Sequence, residues 1–147
     1  MEFTEHFIDE VLRMWPPLPQ HLERIAKVDV QIGPYKIPKG TLVGSSLVAC
    51  MNNPKYYENP EIFDPYRWTK PGGYKTDPHS FIPFSAGPRS CIGKYLALLE
   101  VKILIIYFLN NFNLERTEVP LRTHVKLLYE PYDDNLVRLT QGGMQIK

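Results

Sequence analysis

Cysteine is scarce in this 147-residue chain, with Cys50 and Cys91 as its two thiols. Two cysteines are too few for a disulfide framework, and a reducing compartment is the simpler reading. Neither belongs to a Cys-x-x-Cys pair, and His6, His21, His79 and His124 show no ligand spacing, which argues against a structural zinc site. An excess of either charge is also missing: 17 Lys and Arg stand against 16 Asp and Glu, a net charge of +1. That balance gives no electrostatic footprint for nucleic acid or for an anionic membrane surface. No long hydrophobic run is present. The most apolar stretch, residues 95–109, is interrupted by Glu100 and Lys102 and falls short of the roughly 18 apolar residues that a membrane span needs. The opening Met1-Glu2-Phe3-Thr4-Glu5-His6 is acidic and polar, unlike a signal peptide or an anchor. The chain reads as soluble.

What is present is enough for a core: 44% of residues are hydrophobic and 22% charged, over a length that suits one domain. Proline is abundant and unevenly spread. Twelve of the 14 lie between Pro16 and Pro88, and none lies from Arg89 to Val119. The first region must be largely irregular, and the second is free to form a long helix.

Residues 5–14 read as a helix stopped by Pro16, Pro17 and Pro19. At about 100° per residue, Phe3, Phe7 and Met14 share a face with Glu10, and Arg13 lies beside it. A Glu–Arg pair at this spacing is ordinarily a solvated surface pair. Its place on an apolar face points instead to burial. From 28 to 51 the period changes: Val28, Val30 and Ile32 alternate, Gly33-Pro34 turns, Tyr35 and Ile37 alternate, and Pro38-Lys39-Gly40 turns again before Thr41-Leu42-Val43, which predicts a small antiparallel sheet. Residues 53–85 form a long winding segment rich in proline and aromatics. Residues 94–111 predict a helix, apolar nearly all round and therefore expected to be central. Residues 124–129 and 135–139 flank Pro131-Tyr132-Asp133-Asp134 as an expected terminal hairpin.

The chemistry concentrates in Phe84-Ser85-Ala86-Gly87-Pro88-Arg89-Ser90-Cys91-Ile92-Gly93. A lone cysteine before a helix is ordinarily a small buried hydrophobe, and Cys50 is read that way, in or near the sheet. Three features set Cys91 apart. It is expected at a helix N-terminus, where N–H groups and the dipole stabilise a thiolate. Arg89 adds positive charge two residues away, and Gly87 and Gly93 permit a close approach that side chains would block. A thiolate with such clearance suits the axial ligation of a flat metal macrocycle.

Phe84-x-x-Gly87-x-Arg89-x-Cys91-x-Gly93 resembles the haem-binding motif of the haem-thiolate monooxygenases, the cytochrome P-450 superfamily. With each fixed residue at about a twentieth of composition, a chance match in the chain is on the order of 10⁻⁵ to 10⁻⁴. The order and spacing elsewhere agree. Glu10-Val11-Leu12-Arg13 resembles the Glu-x-x-Arg of the family's K helix, and Met14-Trp15-Pro16-Pro17 its exit. Arg24-Ile25-Ala26, Gly33-Pro34-Tyr35 and Ile37-Pro38-Lys39-Gly40-Thr41 are similar to the sheet that comes next. The segment from Asn59-Pro60-Glu61 to Pro65-Tyr66-Arg67-Trp68 resembles the one that supplies the third member of a Glu-Arg-Arg triad, and Ala97-x-x-Glu100 continues the helix after the cysteine. Trp68 stands where phenylalanine is common, and Met51-Asn52-Asn53-Pro54 where a histidine-led run is frequent.

The resemblance implies a mainly α fold with small antiparallel β-sheets (α+β), and over residues 1–147 its C-terminal part: K helix, small sheet, meander, cysteine loop, long L helix and terminal hairpin. It implies haem b as cofactor, with Cys91 as axial ligand of the iron, the haem iron being the one metal expected. Phe84 is expected beside the sulfur, Gly87 and Gly93 as clearance, Arg89 and Arg24 on the propionates, and Glu10, Arg13 and Arg67 as a buried structural triad. The family's distal helix and substrate loops have no counterpart here, so no catalytic residue is assigned. The chain reads as a C-terminal fragment, inactive alone, of a monooxygenase that takes electrons from a reductase and oxidises a small lipophilic substrate. By the same resemblance the full-length parent is associated with the endoplasmic-reticulum membrane, facing the cytoplasm. A non-catalytic haem-binding module and an inert truncated remnant are the alternatives.

Overall fold

A computed structural model describes residues 2–20, 23–69, 77, 79–116, 123–125, 128–131 and 137–142. Helix α1 spans Glu2–Met14, with Glu2 and Glu5 in its first turn and Arg13 in its last, the arrangement that suits the helix dipole. Its last turn is closed by the Trp15 N–H on the Val11 carbonyl at 2.8 Å, and Pro16 and Pro17 prevent continuation.

Two small antiparallel ladders come next. Strand β1 (Arg24–Ile25) pairs with β4 (Leu42–Val43), and β2 (Val30–Ile32) pairs with β3 (Tyr35–Ile37) in the register Val30↔Ile37 and Ile32↔Tyr35. The turn between β2 and β3 places Gly33 at φ +55, a conformation glycine adopts without a side-chain clash. Past β4 the chain enters a short helix, α2 (Leu47–Met51), in place of the continued sheet that residue alternation predicts. Ser46 explains the switch: its hydroxyl accepts from the Ala49 N–H at 3.2 Å and caps the helix. Cys50 therefore packs in a helix, half-buried, with its thiol donating to the His79 carbonyl at 3.2 Å.

The winding segment is held by turns, including a 3-10 turn at Pro65–Thr69, and by rings laid against α1. Phe3 meets Tyr66 at 5.4 Å between centroids, Phe7 meets Phe63 at 5.4 Å, and Trp15 stacks on Phe63 at 6.0 Å. The core formed between α1, α2 and this segment contains Ile8, Leu47, Met51, Tyr57 and Trp68, and also the charged side chains of Glu10, Arg13 and Arg67. Ionised groups are almost never fully buried unless paired.

Helix α3 spans Lys94–Asn111. Its sequence predicts a central position, yet this chain buries none of its residues: Leu96 is 61% exposed, Ile103 56% and Tyr107 56%. A helix that is apolar on every side needs neighbours all round. Along one side α1 faces it across an apolar cavity of about 330 Å³, and Lys102 pairs with Glu5 at 2.7 Å. The helix runs straight into strand β5 (Phe112–Arg116), which pairs with β8 (Val137–Gln141), and β6 (Thr123–Val125) pairs with β7 (Tyr129–Pro131). A terminal hairpin thus forms, but its second arm is 129–131. The strand expected there, 135–139, is found instead at 137–141 and pairs with β5, with Leu114 opposite Leu139. The expected turn at Tyr132-Asp133-Asp134 lies outside the described residues.

Candidate functional site

Glu10 is the most heavily contacted carboxylate in the core. Its two oxygens accept from five donors: Arg13 Nε (2.9 Å) and Nη2 (2.9 Å), the Asp64 backbone N–H (3.0 Å), Arg67 Nε (2.9 Å) and the Trp68 indole N–H (3.0 Å). Burial by itself pushes this carboxyl up. The hydrogen bonds from Arg13 and Asp64 and the charges of Arg13 and Arg67 outweigh it and hold the group below the ordinary value of 4.5. Arg13 also donates to the Met51 carbonyl (3.1 Å), Asn52 Oδ1 (2.9 Å) and the Ile62 carbonyl (3.4 Å). Arg67 donates to the carbonyls of Glu58 (3.0 Å), Asn59 (3.3 Å) and Ile62 (2.9 Å). The expected triad is thus a larger buried network. It ties α1 to α2 and to the winding segment through backbone carbonyls that have no regular ladder of their own.

Beside this network Tyr57 is fully buried, with the Arg13 guanidinium 5.2 Å from its ring centroid. Its hydroxyl donates to the Ser80 carbonyl at 2.9 Å. Burial raises the phenol to about 12, against smaller downward effects from the Ser80 side chain and the charge of Arg13. Burial, with Asp77 adding to it, likewise pushes the Cys50 thiol up.

The cysteine loop starts where the winding segment ends. Ser85 (φ +65) and Gly87 (φ +74) turn the chain, and the second is a position that glycine fills without strain. Gly87–Arg89 forms one 3-10 turn, closed by the Ser90 N–H on the Gly87 carbonyl at 3.0 Å. The Cys91 N–H then donates to the Phe84 carbonyl at 2.9 Å, which pins the two ends of the loop together. Cys91 is exposed and lies two residues ahead of Gly93, the N-cap of α3, so it stands just outside the first helical turn and not within the helix N-terminus that the sequence suggests. A Cβ built on Gly93 would lie 3.9 Å from the Cys91 sulfur, and one on Gly87 would meet nothing within 4 Å. The thiol is exposed, with Gly93 at van der Waals distance and open space at Gly87, a setting that fits a flat macrocycle approaching the sulfur. Phe84, half-buried, lines both a cavity of about 450 Å³ shared with Asp9 and Lys94 and an apolar one of about 330 Å³ shared with Trp15 and Val101. Its ring backs the loop from the α1 side.

The structure gathers Glu10, Arg13 and Arg67 at one point, and it brings the Phe84 carbonyl and Gly93 against Cys91, with Gly87 and Arg89 on the 3-10 turn of the same loop. Arg24 lies on β1, with Nη1 donating to the neighbouring Glu23 carbonyl at 3.1 Å, and Arg89 is exposed on its 3-10 turn. Sequence reasoning missed Trp68 and Asn52 as members of the network. Both were visible as departures from the family pattern, and that was the available signal.

The cytochrome P450 family model matches residues 1–136. Cytochrome P450 3A18 of Rattus norvegicus is 36% identical over 95% of this chain and 28% of its own length. Cytochrome P450 3A19 of Capra hircus aegagrus is 34% identical over 98% of the chain and 67% of its own length. Among solved structures, the retinoic acid-bound cyanobacterial CYP120A1 superposes with a TM-score of 0.87 at 32% identity, covering 96% of this chain and 33% of that one. A zebrafish cytochrome P450 with progesterone gives 0.82 at 29%, covering 95% and 31%. The chain thus spans about a third or less of most of these relatives. With its small sheets, buried glutamate network and exposed thiol between two glycines, it belongs to the cytochrome P450 family.

Proposed function

We propose that residues 1–147 are the C-terminal, haem-binding part of a P450 monooxygenase and that Cys91 is the axial thiolate ligand of a haem b iron. The observation that carries this is the exposed Cys91 thiol, with Gly93 at van der Waals distance, on a loop closed by the Cys91–Phe84 hydrogen bond. When bound, the haem supplies reductive activation of O2, and thiolate ligation favours cleavage of the O–O bond. Phe84 limits water at the sulfur, which tunes its donor strength. Arg89 and Arg24 bind the propionates by charge-assisted hydrogen bonds, for which the planar arginine fork is suited. Glu10, Arg13 and Arg67 hold the winding segment on α1 and so fix the base of the cysteine loop.

The parent protein, in this reading, takes electrons from a reductase and oxidises a small lipophilic molecule at the endoplasmic-reticulum membrane. The retinoic acid and progesterone named with two similar structures support the lipophilic class. No described helix is long and apolar enough to cross a membrane. The test is reconstitution of the chain with haem and a reductase, following haem uptake and product. Haem uptake without coupled hydroxylation is expected. Substrate-dependent turnover by this chain alone would refute the fragment reading, and absence of uptake would favour an inert remnant.

A further inference from the structure

Trp68 is 9% exposed and bridges two parts of the molecule. Its indole N–H reaches Glu10 Oε2 at 3.0 Å, and its ring lies against Phe81 at 4.6 Å between centroids, with Tyr57 at 6.4 Å on another side. Phe81 begins the short run that ends at Phe84, whose carbonyl accepts from the Cys91 N–H. The 3-10 turn at Pro65–Thr69 makes this double contact possible, because it presents Arg67 and Trp68 inward as neighbours. A phenylalanine there could supply the ring but no donor. Among the described residues Oε2 has one other donor, Arg13 Nε, whereas Oε1 has three.

We infer that Trp68 is a positioning residue, whose N–H orients the Glu10 carboxylate while its ring carries the segment that presents Cys91. The carboxylate half stands on geometry alone; the loop half rests on the reading of Cys91 as haem ligand. The groups that face Glu10 are Arg13 from its own helix and the Asp64 N–H, Arg67 and Trp68 from the winding segment, with Tyr57 and Asn52 acting through Arg13. Deleting the indole N–H leaves the arginines in place and removes one stabiliser of the charged form. The carboxyl then takes up its proton at higher pH.

The experiment has three arms. In the 15N-labelled wild-type chain, the Trp68 indole N–H, assigned by comparison with W15F, is expected to exchange as slowly as the most protected backbone amides. In W68F, which keeps a ring against Phe81, the acid-unfolding midpoint is expected to move to higher pH. In the haem-loaded chain, W68F is expected to convert the thiolate-type carbonyl band of the reduced protein to the thiol-type band roughly tenfold faster or more, as befits loss of a hydrogen bond to a charged group. A rapidly exchanging indole N–H in the wild type, or an unmoved acid midpoint in a folded W68F, overturns the proposal. A carbonyl band as durable in W68F as in wild type overturns the loop half. Identical carbonyl spectra for the wild type and C91S overturn the haem reading and the loop half with it, and the first two arms still decide the role of Trp68 at Glu10.

Discussion

Glu10 exchanges water for five protein donors, and the energetic consequences are measurable at single residues. Removing it strands Arg13 and Arg67, two buried cations, and Glu10→Ala is expected to cost roughly 3–5 kcal/mol in a denaturant titration. An exposed helical pair would cost below about 1 kcal/mol. Arg67→Ala should be comparably severe, and the double mutant should cost far less than the sum, because the two groups share one interaction across 57 residues of sequence. Additive small effects would refute the buried network. Its pH dependence has a definite sign. The folded carboxyl lies below its unfolded value of 4.5, so its contribution is complete above that value and is lost as pH falls through the lower folded one. Tyr57 acts at the other end of the scale. Its folded value of about 12 exceeds the unfolded 10, so its contribution is complete below pH 10 and disappears as pH rises towards 12. Tyr57→Phe should abolish that alkaline slope and cost about 1 kcal/mol at neutral pH by removing its hydrogen bond to the Ser80 carbonyl. The burial of Glu10 and Arg13 was legible because they share a helix face with phenylalanines. Trp68 and Asn52 were not assigned partners, because a 3-10 turn and a short helix, neither with a strong sequence period, decide where they point.

Elements were legible in proportion to their periodicity. Helices α1 and α3 and the β2–β3 hairpin could be read from helical spacing, the proline gap and the Gly33-Pro34 turn. The pairing of β5 with β8 could not, because strand choice is a competition between alternating segments that local turn residues cannot decide. The position of α3 was the clearest difference. Uniform apolarity indicated a helix made to be surrounded, yet α1 flanks it along one side, with two apolar cavities between them, and leaves much of it exposed. A charge placed on its open side should therefore scarcely affect this chain by itself. Ile103→Glu is expected to change stability by less than about 0.5 kcal/mol while reducing self-association and binding of an apolar dye. A loss above about 2 kcal/mol would show that Ile103 is covered in solution.

Across the whole molecule, apolar surface is likewise left open. Its accessible surface is 11262 Å², against about 7,800 Å² for a compact monomer of its mass of 17.1 kDa. Apolar side chains of α3 contribute to it, with Leu96, Leu99, Ile103 and Leu104 each more than half exposed. Composition alone indicated an ordinary single domain, since it counts apolar residues and not whether they can cover one another. The family resemblance of the cysteine and Glu-x-x-Arg motifs located the chain within a larger fold, and the family match over residues 1–136 bears that out. In the proposed function, haem binding turns on one sulfur atom. The measurement that tests it most directly is the carbonyl spectrum of the reduced, haem-loaded chain, compared among wild type, Cys91→Ser and Cys50→Ser. A serine hydroxyl stays protonated at neutral pH and binds iron weakly. Axial ligation by Cys91 predicts a thiolate-type Soret band in wild type and Cys50→Ser and its loss in Cys91→Ser; a thiolate-type band surviving in Cys91→Ser would contradict it.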